Sequence, residues 1–266
     1  MASVLVVIAH PDDETLQAGT LAKLVDEGHE VAIVCATRGE VGEIAEGVEA
    51  TAETLGRVRE AEMRAAAREI GVEDVRFLDY RDSGMAGAAE NEDPRALVQA
   101  EPLAVSMELT AVMQELNPDV IITWDASGGY GHPDHIRVHE TTRDAFDSYA
   151  MRSGRPVRLY YMALPTHLFE EMQRELAAQG IEFGSAAMRE ARLDRPPVTT
   201  EIDVAAYQEA KRRSRLAHRS QLPANSPWEK LSEGLQRRFY GTEYFHRAVP
   251  PWNEGEARET ALFERP

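Results

Sequence analysis

Short apolar runs alternate with amphipathic stretches through the first 165 residues. Ser3–Ala9 and Glu30–Thr37 are almost continuously apolar, the pattern of strands covered on both faces. Val75–Leu78, Asp119–Trp124 and Val157–Ala163 are further strand-like runs. Thr15–Glu27 reads as a helix closed by Gly28. Thr51–Ile70 reads as another closed by Gly71, with Met63, Ala66, Ala67 and Ile70 on one face. Val105, Leu109, Val112, Met113 and Leu116 mark a third helix face that stops at Asn117-Pro118, and Pro133–Tyr149 forms a fourth helix. This alternation predicts an α/β, Rossmann-like fold: an open, mostly parallel sheet with helices on both faces. Ligands bind such sheets beyond the carboxyl ends of the strands.

Beyond residue 165 the pattern is mixed. Thr166–Gln179 is amphipathic, Arg195-Pro196-Pro197 reads as a turn, and Asp203–His218 as a basic helix. Ser83–Pro102, rich in Gly, Ala, Asn, Asp and Pro, reads as a loop, either a lid or a mobile connection. Gly128, Gly129 and Gly131 give backbone freedom to Ala126–Gly131. No linker composition interrupts the chain. The expectation is one domain over residues 1–266, with a core at 1–164 and a C-terminal elaboration at 165–266.

Charge narrows the partners. The formal net charge is −17, from 46 acidic and 29 basic residues. That disfavours nonspecific binding to nucleic acid or an anionic membrane. No apolar run approaches the ~18 residues of a membrane span, and no signal-peptide pattern opens the chain, so the cytoplasm is the expected compartment. Cys35, the one cysteine, lies in an apolar run and reads as a buried thiol.

Two strand ends carry the chemistry. The first strand stops at His10-Pro11-Asp12-Asp13-Glu14, and the run before Trp124 is followed by His132-Pro133-Asp134-His135. His10 and Asp13, three residues apart, can converge on one metal at a strand-to-helix turn. Imidazole and carboxylate suit zinc, and also ferrous iron. A third ligand is needed, and spacing leaves His132, His135 and His139 open. Asp12 and Asp134 also fit helix caps followed by a first turn. Capping alone does not call for a histidine and three acids at one strand end and the same tripeptide at another. The first turn lacks G-x-G-x-x-G, which disfavours a phosphate site.

These two motifs resemble those of the LmbE-like, or PIG-L, family of zinc-dependent N-acetylglucosaminyl deacetylases. Thr37-Arg38-Gly39-Glu40, Leu55-Gly56 with Arg59 and Glu62, and His218-Arg219-Ser220-Gln221 are similar too. The resemblance spans most of residues 3–245. It implies that His10, Asp13 and His135 bind the metal and that Asp12 is the general base for the attacking water. The shared cation is expected to hold the Asp12 pKa low. The resemblance further implies that His132, as imidazolium, stabilises the oxyanion or protonates the amine, with Asp134 behind it, and that Tyr130 helps hold the oxyanion. Tyr80-Arg81-Asp82-Ser83-Gly84-Met85 is similar to a segment of the mycothiol-pathway members, which implies that Arg59 and Asp82 bind sugar hydroxyls. The expected substrate is a small N-acetylglucosamine-containing molecule. The alternatives are amidase action on a mycothiol conjugate and a non-catalytic sugar-binding protein. Several relatives form homo-oligomers, so self-association is a further expectation.

Overall fold

The computed structural model describes residues 1–182, 195–222 and 226–263. Among the described residues seven strands form one sheet: β1 (Ser3–Ile8), β2 (Glu30–Thr37), β3 (Asp74–Tyr80), β4 (Val120–Thr123), β5 (Arg158–Ala163), β6 (Thr200–Asp203) and β7 (Thr242–Val249). Their order is β3-β2-β1-β4-β5-β7-β6. The first five run parallel. β7 lies antiparallel between β5 and β6. The mostly parallel Rossmann-like sheet therefore stands, and part of the C-terminal region extends it by two strands.

The helices are α1 (Ala18–Asp26), α2 (Leu55–Glu69), α3 (Pro102–Leu116), the one-turn α4 (Gly128–Gly131), α5 (Pro133–Ser153), α6 (Thr166–Ala178), α7 (Gln208–Ala217) and α8 (Glu233–Gly241). α3 packs on α5, and α7 on α1 and α2. Apolar side chains of β1, β2, β4 and β5 fill the main core, consistent with a sheet covered on both faces. Leu168, Phe169, Met172 and Leu176 of α6 form a smaller core with Leu231 and Leu235. Among the described residues no helix is long and apolar enough to cross a membrane.

Two differences from the sequence pattern bear on the site. The helix expected from Thr15 begins at Ala18, because Asp13–Leu16 is wound as a tighter 3-10 turn. Ser83–Pro102 is built rather than open: short turns at Ala89–Glu92 and Leu97–Gln99 are tied back, and Val98 N donates to Ser83 Oγ at 3.1 Å.

Candidate metal centre

The strand order changes direction at β1 and β4: β2 and β3 lie to one side of β1, and β5 lies beyond β4. At such a switch point the loops after two adjacent strands part and open a crevice. His10 follows β1 by two residues, and Trp124 follows β4 directly.

The first turn is organised around Asp13. Its Oδ2 accepts hydrogen bonds from Ala9 N at 3.0 Å, His10 N at 2.9 Å and Trp124 Nε1 at 3.3 Å. Burial would raise its pKa, but His135, His10 and the bond from His10 N hold the carboxyl well below the usual range. Asp12 has φ 107°, one of two positive-φ positions outside glycine among the described residues. Such a backbone costs about 1–3 kcal/mol and persists only when its surroundings hold it.

The second motif is a helix start. His132 caps α5, accepting from Asp134 N on Nδ1 at 3.1 Å, and Pro133 occupies the first turn. Before it, Gly129 has φ 69° and lies so close to Trp124 that a Cβ would meet the ring at 2.5 Å. That close approach leaves the indole stacked on His135, with centroids 4.0 Å apart.

Donor atoms of His10, His135 and Asp13 lie close together, with His10 Nδ1 3.9 Å from Asp13 Oδ2. His135 Nδ1 faces the Gly128 carbonyl at 3.1 Å, which puts the proton there and the lone pair on Nε2. His10 Nε2 faces Asp134 Oδ2 at 3.1 Å, which leaves the lone pair on Nδ1. The two lone-pair nitrogens lie 3.1 Å apart, and His135 Nε2 lies 3.4 Å from Asp13 Oδ1. A tetrahedral cation with ligand bonds of about 2.1 Å spaces its donors by about 3.4 Å. Two neutral nitrogens and one carboxylate oxygen, buried and aimed at one another, fit a divalent cation of the zinc or ferrous type.

His132 also belongs to the buried cluster with His10 and His135. Its Nδ1 lone pair is taken by the helix cap, so the neutral ring carries its proton on Nε2 and is a donor rather than a ligand. Burial lowers its pKa, to about 4. Nδ1 accepting from the Asp134 amide is the arrangement of a neutral ring, where an imidazolium was expected.

Asp134 is corrected as well. Its carboxylate does not back His132: Oδ2 accepts from His10 Nε2 and from Ser83 N at 2.9 Å. Asp82 is buried beside the same nitrogen, with Oδ1 at 3.5 Å, and it accepts from Gly84 N and Val41 N. Asp82 thus faces His10 and backbone amides, where sugar hydroxyls were expected. Arg59 is likewise buried. Nη1 donates to Gly39 O at 2.9 Å, Nη2 donates to Pro11 O at 2.5 Å, and Nη2 lies 3.2 Å from Asp12 Oδ2. It steadies the Asp12 turn. His139, left open by spacing, lies outside the cluster and turns Nδ1 to the Trp124 carbonyl at 2.9 Å.

The Asp12 side chain keeps 36% of its surface exposed. Burial of the rest raises its pKa, Arg59 pulls it back, and Asp13 adds to the rise. In the protein's own field the shift runs opposite to the expected lowering. Tyr130 sets its ring edge-on to His132 and His135, with centroids 6.0 and 5.0 Å away. A cavity of about 300 Å³ adjoins the site. Trp124, Gly129 and Tyr130 line it, but none of His10, Asp12, Asp13, His132 or His135 does, so it is a neighbouring chamber.

Sequence reasoning missed Trp124 and Glu14 as site-builders. An aromatic residue directly after β4 was the available signal for the first. Nothing local marks the second, whose anchors Ser214 and His218 lie about 200 residues away.

The model of the family described as PIG-L, GlcNAc-PI de-N-acetylase, matches residues 5–146. A 1D-myo-inositol 2-acetamido-2-deoxy-alpha-D-glucopyranoside deacetylase of Thermobifida fusca is 38% identical, covering 98% of each chain. A protein of the same name from Streptomyces scabiei is 37% identical over 98% of this chain and 88% of its own. Among solved structures, the N,N'-diacetylchitobiose deacetylase of Pyrococcus horikoshii shares the fold with a TM-score of 0.62 at 24% identity. That match covers 92% of this chain and 83% of the other.

Proposed function

The chain belongs to the PIG-L, or GlcNAc-PI de-N-acetylase, family of amide hydrolases, and from that premise we propose that it removes the N-acetyl group of a small glucosaminyl-inositol. The observation that carries the reading is the convergence of His10 Nδ1, His135 Nε2 and Asp13 Oδ1 beside the partly exposed carboxylate of Asp12. We assign those three as ligands of one divalent cation, zinc by preference. When bound, the cation supplies Lewis acidity for the amide carbonyl and for the attacking water.

The chain's own residues handle protons and position. Asp12 takes a proton from the attacking water and returns it to the departing amine, so that water plus amide gives acetate plus amine. His132 points a neutral Nε2–H at the carbonyl oxygen, and Tyr130, whose phenol burial keeps protonated, offers a second donor. Asp134 and Asp82 orient His10 through Nε2, the usual place of a carboxylate behind a metal-binding histidine. The test is acetate release from 2-acetamido-2-deoxy-α-D-glucopyranosyl-1D-myo-inositol, before and after chelation and with zinc restored. Stoichiometric acetate and free amine, lost on chelation and regained with zinc, are expected. Metal-indifferent release, or none from the zinc-loaded protein, overturns the reading.

A further inference from the structure

We propose that Glu14, held by Ser214 and His218, is the positioning residue that fixes Asp12 in its strained conformation and so aims the base; this rests on the role given to Asp12 above. Glu14 is completely buried, yet neither of its oxygens is unpaired. Oε2 accepts from the backbone N–H of Asp12 at 3.0 Å. Oε1 accepts from His218 Nε2 at 2.6 Å and from Ser214 Oγ at 3.2 Å, both buried.

The peptide that Glu14 grips is the strained one. A residue other than glycine at φ 107° returns to an ordinary conformation unless its flanking groups are pinned. Glu14 pins the Asp12 N–H, and Thr15 pins the Asp12 carbonyl from its Oγ1 at 2.7 Å. Relaxing φ would rotate the Asp12 side chain relative to Asp13, and with it the base relative to the cation.

The anchor lies far along the chain. Ser214 sits on α7, and His218 follows at its carboxyl end. α7 is fixed by the Lys211–Glu243 pair at 2.6 Å and by Arg213 on Glu69 at 2.6 Å. Just beyond, Ser220 donates from both N and Oγ to Glu62 of α2. The C-terminal region thus reaches the catalytic turn through one carboxylate. This gives His218 and Ser214 a task in catalysis without contact with substrate or metal.

The test compares His218→Leu with His218→Gln, which keeps an N–H donor. For each, kcat, KM, bound zinc and Tm are measured on the full-length protein. His218→Leu is expected to lower kcat about 100-fold, the scale of an ångström-sized misplacement of a catalytic group. KM should stay within about twofold, zinc content should be unchanged, and His218→Gln should recover kcat to within about fivefold of the parent. Parental kcat in His218→Leu, equal loss in both variants, or loss of zinc together with kcat overturns the proposal. Should His218→Leu fail to fold, Ser214→Ala decides: a several-fold drop in kcat at constant KM supports the clamp, and an unchanged kcat overturns it. Asp12→Ala is run beside them. If it keeps full activity, the base assignment itself falls. If it is inactive while His218→Leu is active, only the clamp falls.

Discussion

The two His-Pro-Asp tripeptides are identical in sequence and opposite in backbone. In the first, the chain turns sharply after β1, Asp12 adopts a left-handed φ, and Asp13 collects three N–H donors. In the second, the same residues open α5 in the ordinary way, with His132 as the cap and Pro133 in the first turn. A cap consumes the histidine's Nδ1 lone pair, whereas the sharp turn leaves His10 Nδ1 free. The tripeptide therefore offers an uncapped imidazole nitrogen at one strand end and a capped one at the other. Its aspartates diverge in the same way: Asp12 stays partly exposed, and Asp134 is buried against His10.

The strongest way to break this contrast is Asp12→Ala. It should keep the metal and lose about 10²–10⁴-fold in kcat, the usual contribution of a general base. Turnover of the amino-sugar amide, with metal analysis of the same sample, checks it. Next comes Asp134→Asn, which touches the second copy but should act on the first. Weakening the carboxylate behind His10 should lower zinc affinity about 10–100-fold, read by competition with a chelator. Unchanged affinity would return Asp134 to His132. His139→Ala sharpens the contrast from the outside. It removes one hydrogen bond to the Trp124 carbonyl, so stability should fall by about 1 kcal/mol in a denaturant melt while zinc content holds. The smallest effect concerns Cys35, which is fully buried and whose pKa is pushed up by burial and by the carboxylates nearby. Native protein should resist thiol alkylation at neutral pH, and denatured protein should react fully.

What could be read from the chain follows from which interactions are local. β1, β2, β4 and β5 are legible because their buried positions hold apolar residues. β6 and β7 are not. On β7 the buried positions include Glu243, paired with Lys211, and Arg247, paired with Glu259, so the alternation that signals a strand is written in charges. His10, Asp13 and His135 were legible as candidate ligands from residue type and spacing. The roles of His132 and Asp134 were not, because they depend on which ring nitrogen meets which acceptor. Arg59 and Asp82 fitted sugar contacts on resemblance, yet both are turned inward to carry the turns around His10 and Asp12. Glu14 and His218 are 204 residues apart, and no periodicity connects them.

The central claim is that one copy of the tripeptide ligates and the other does not. Zinc stoichiometry, measured by mass spectrometry after gel filtration, tests it on His10→Ala, His135→Ala and His132→Asn, the last of which keeps a capping side chain. The prediction is about one ion per chain in His132→Asn, as in the parent, and background metal in the other two. Loss of zinc from His132→Asn to the same background would contradict it and make the two copies equal partners in one site.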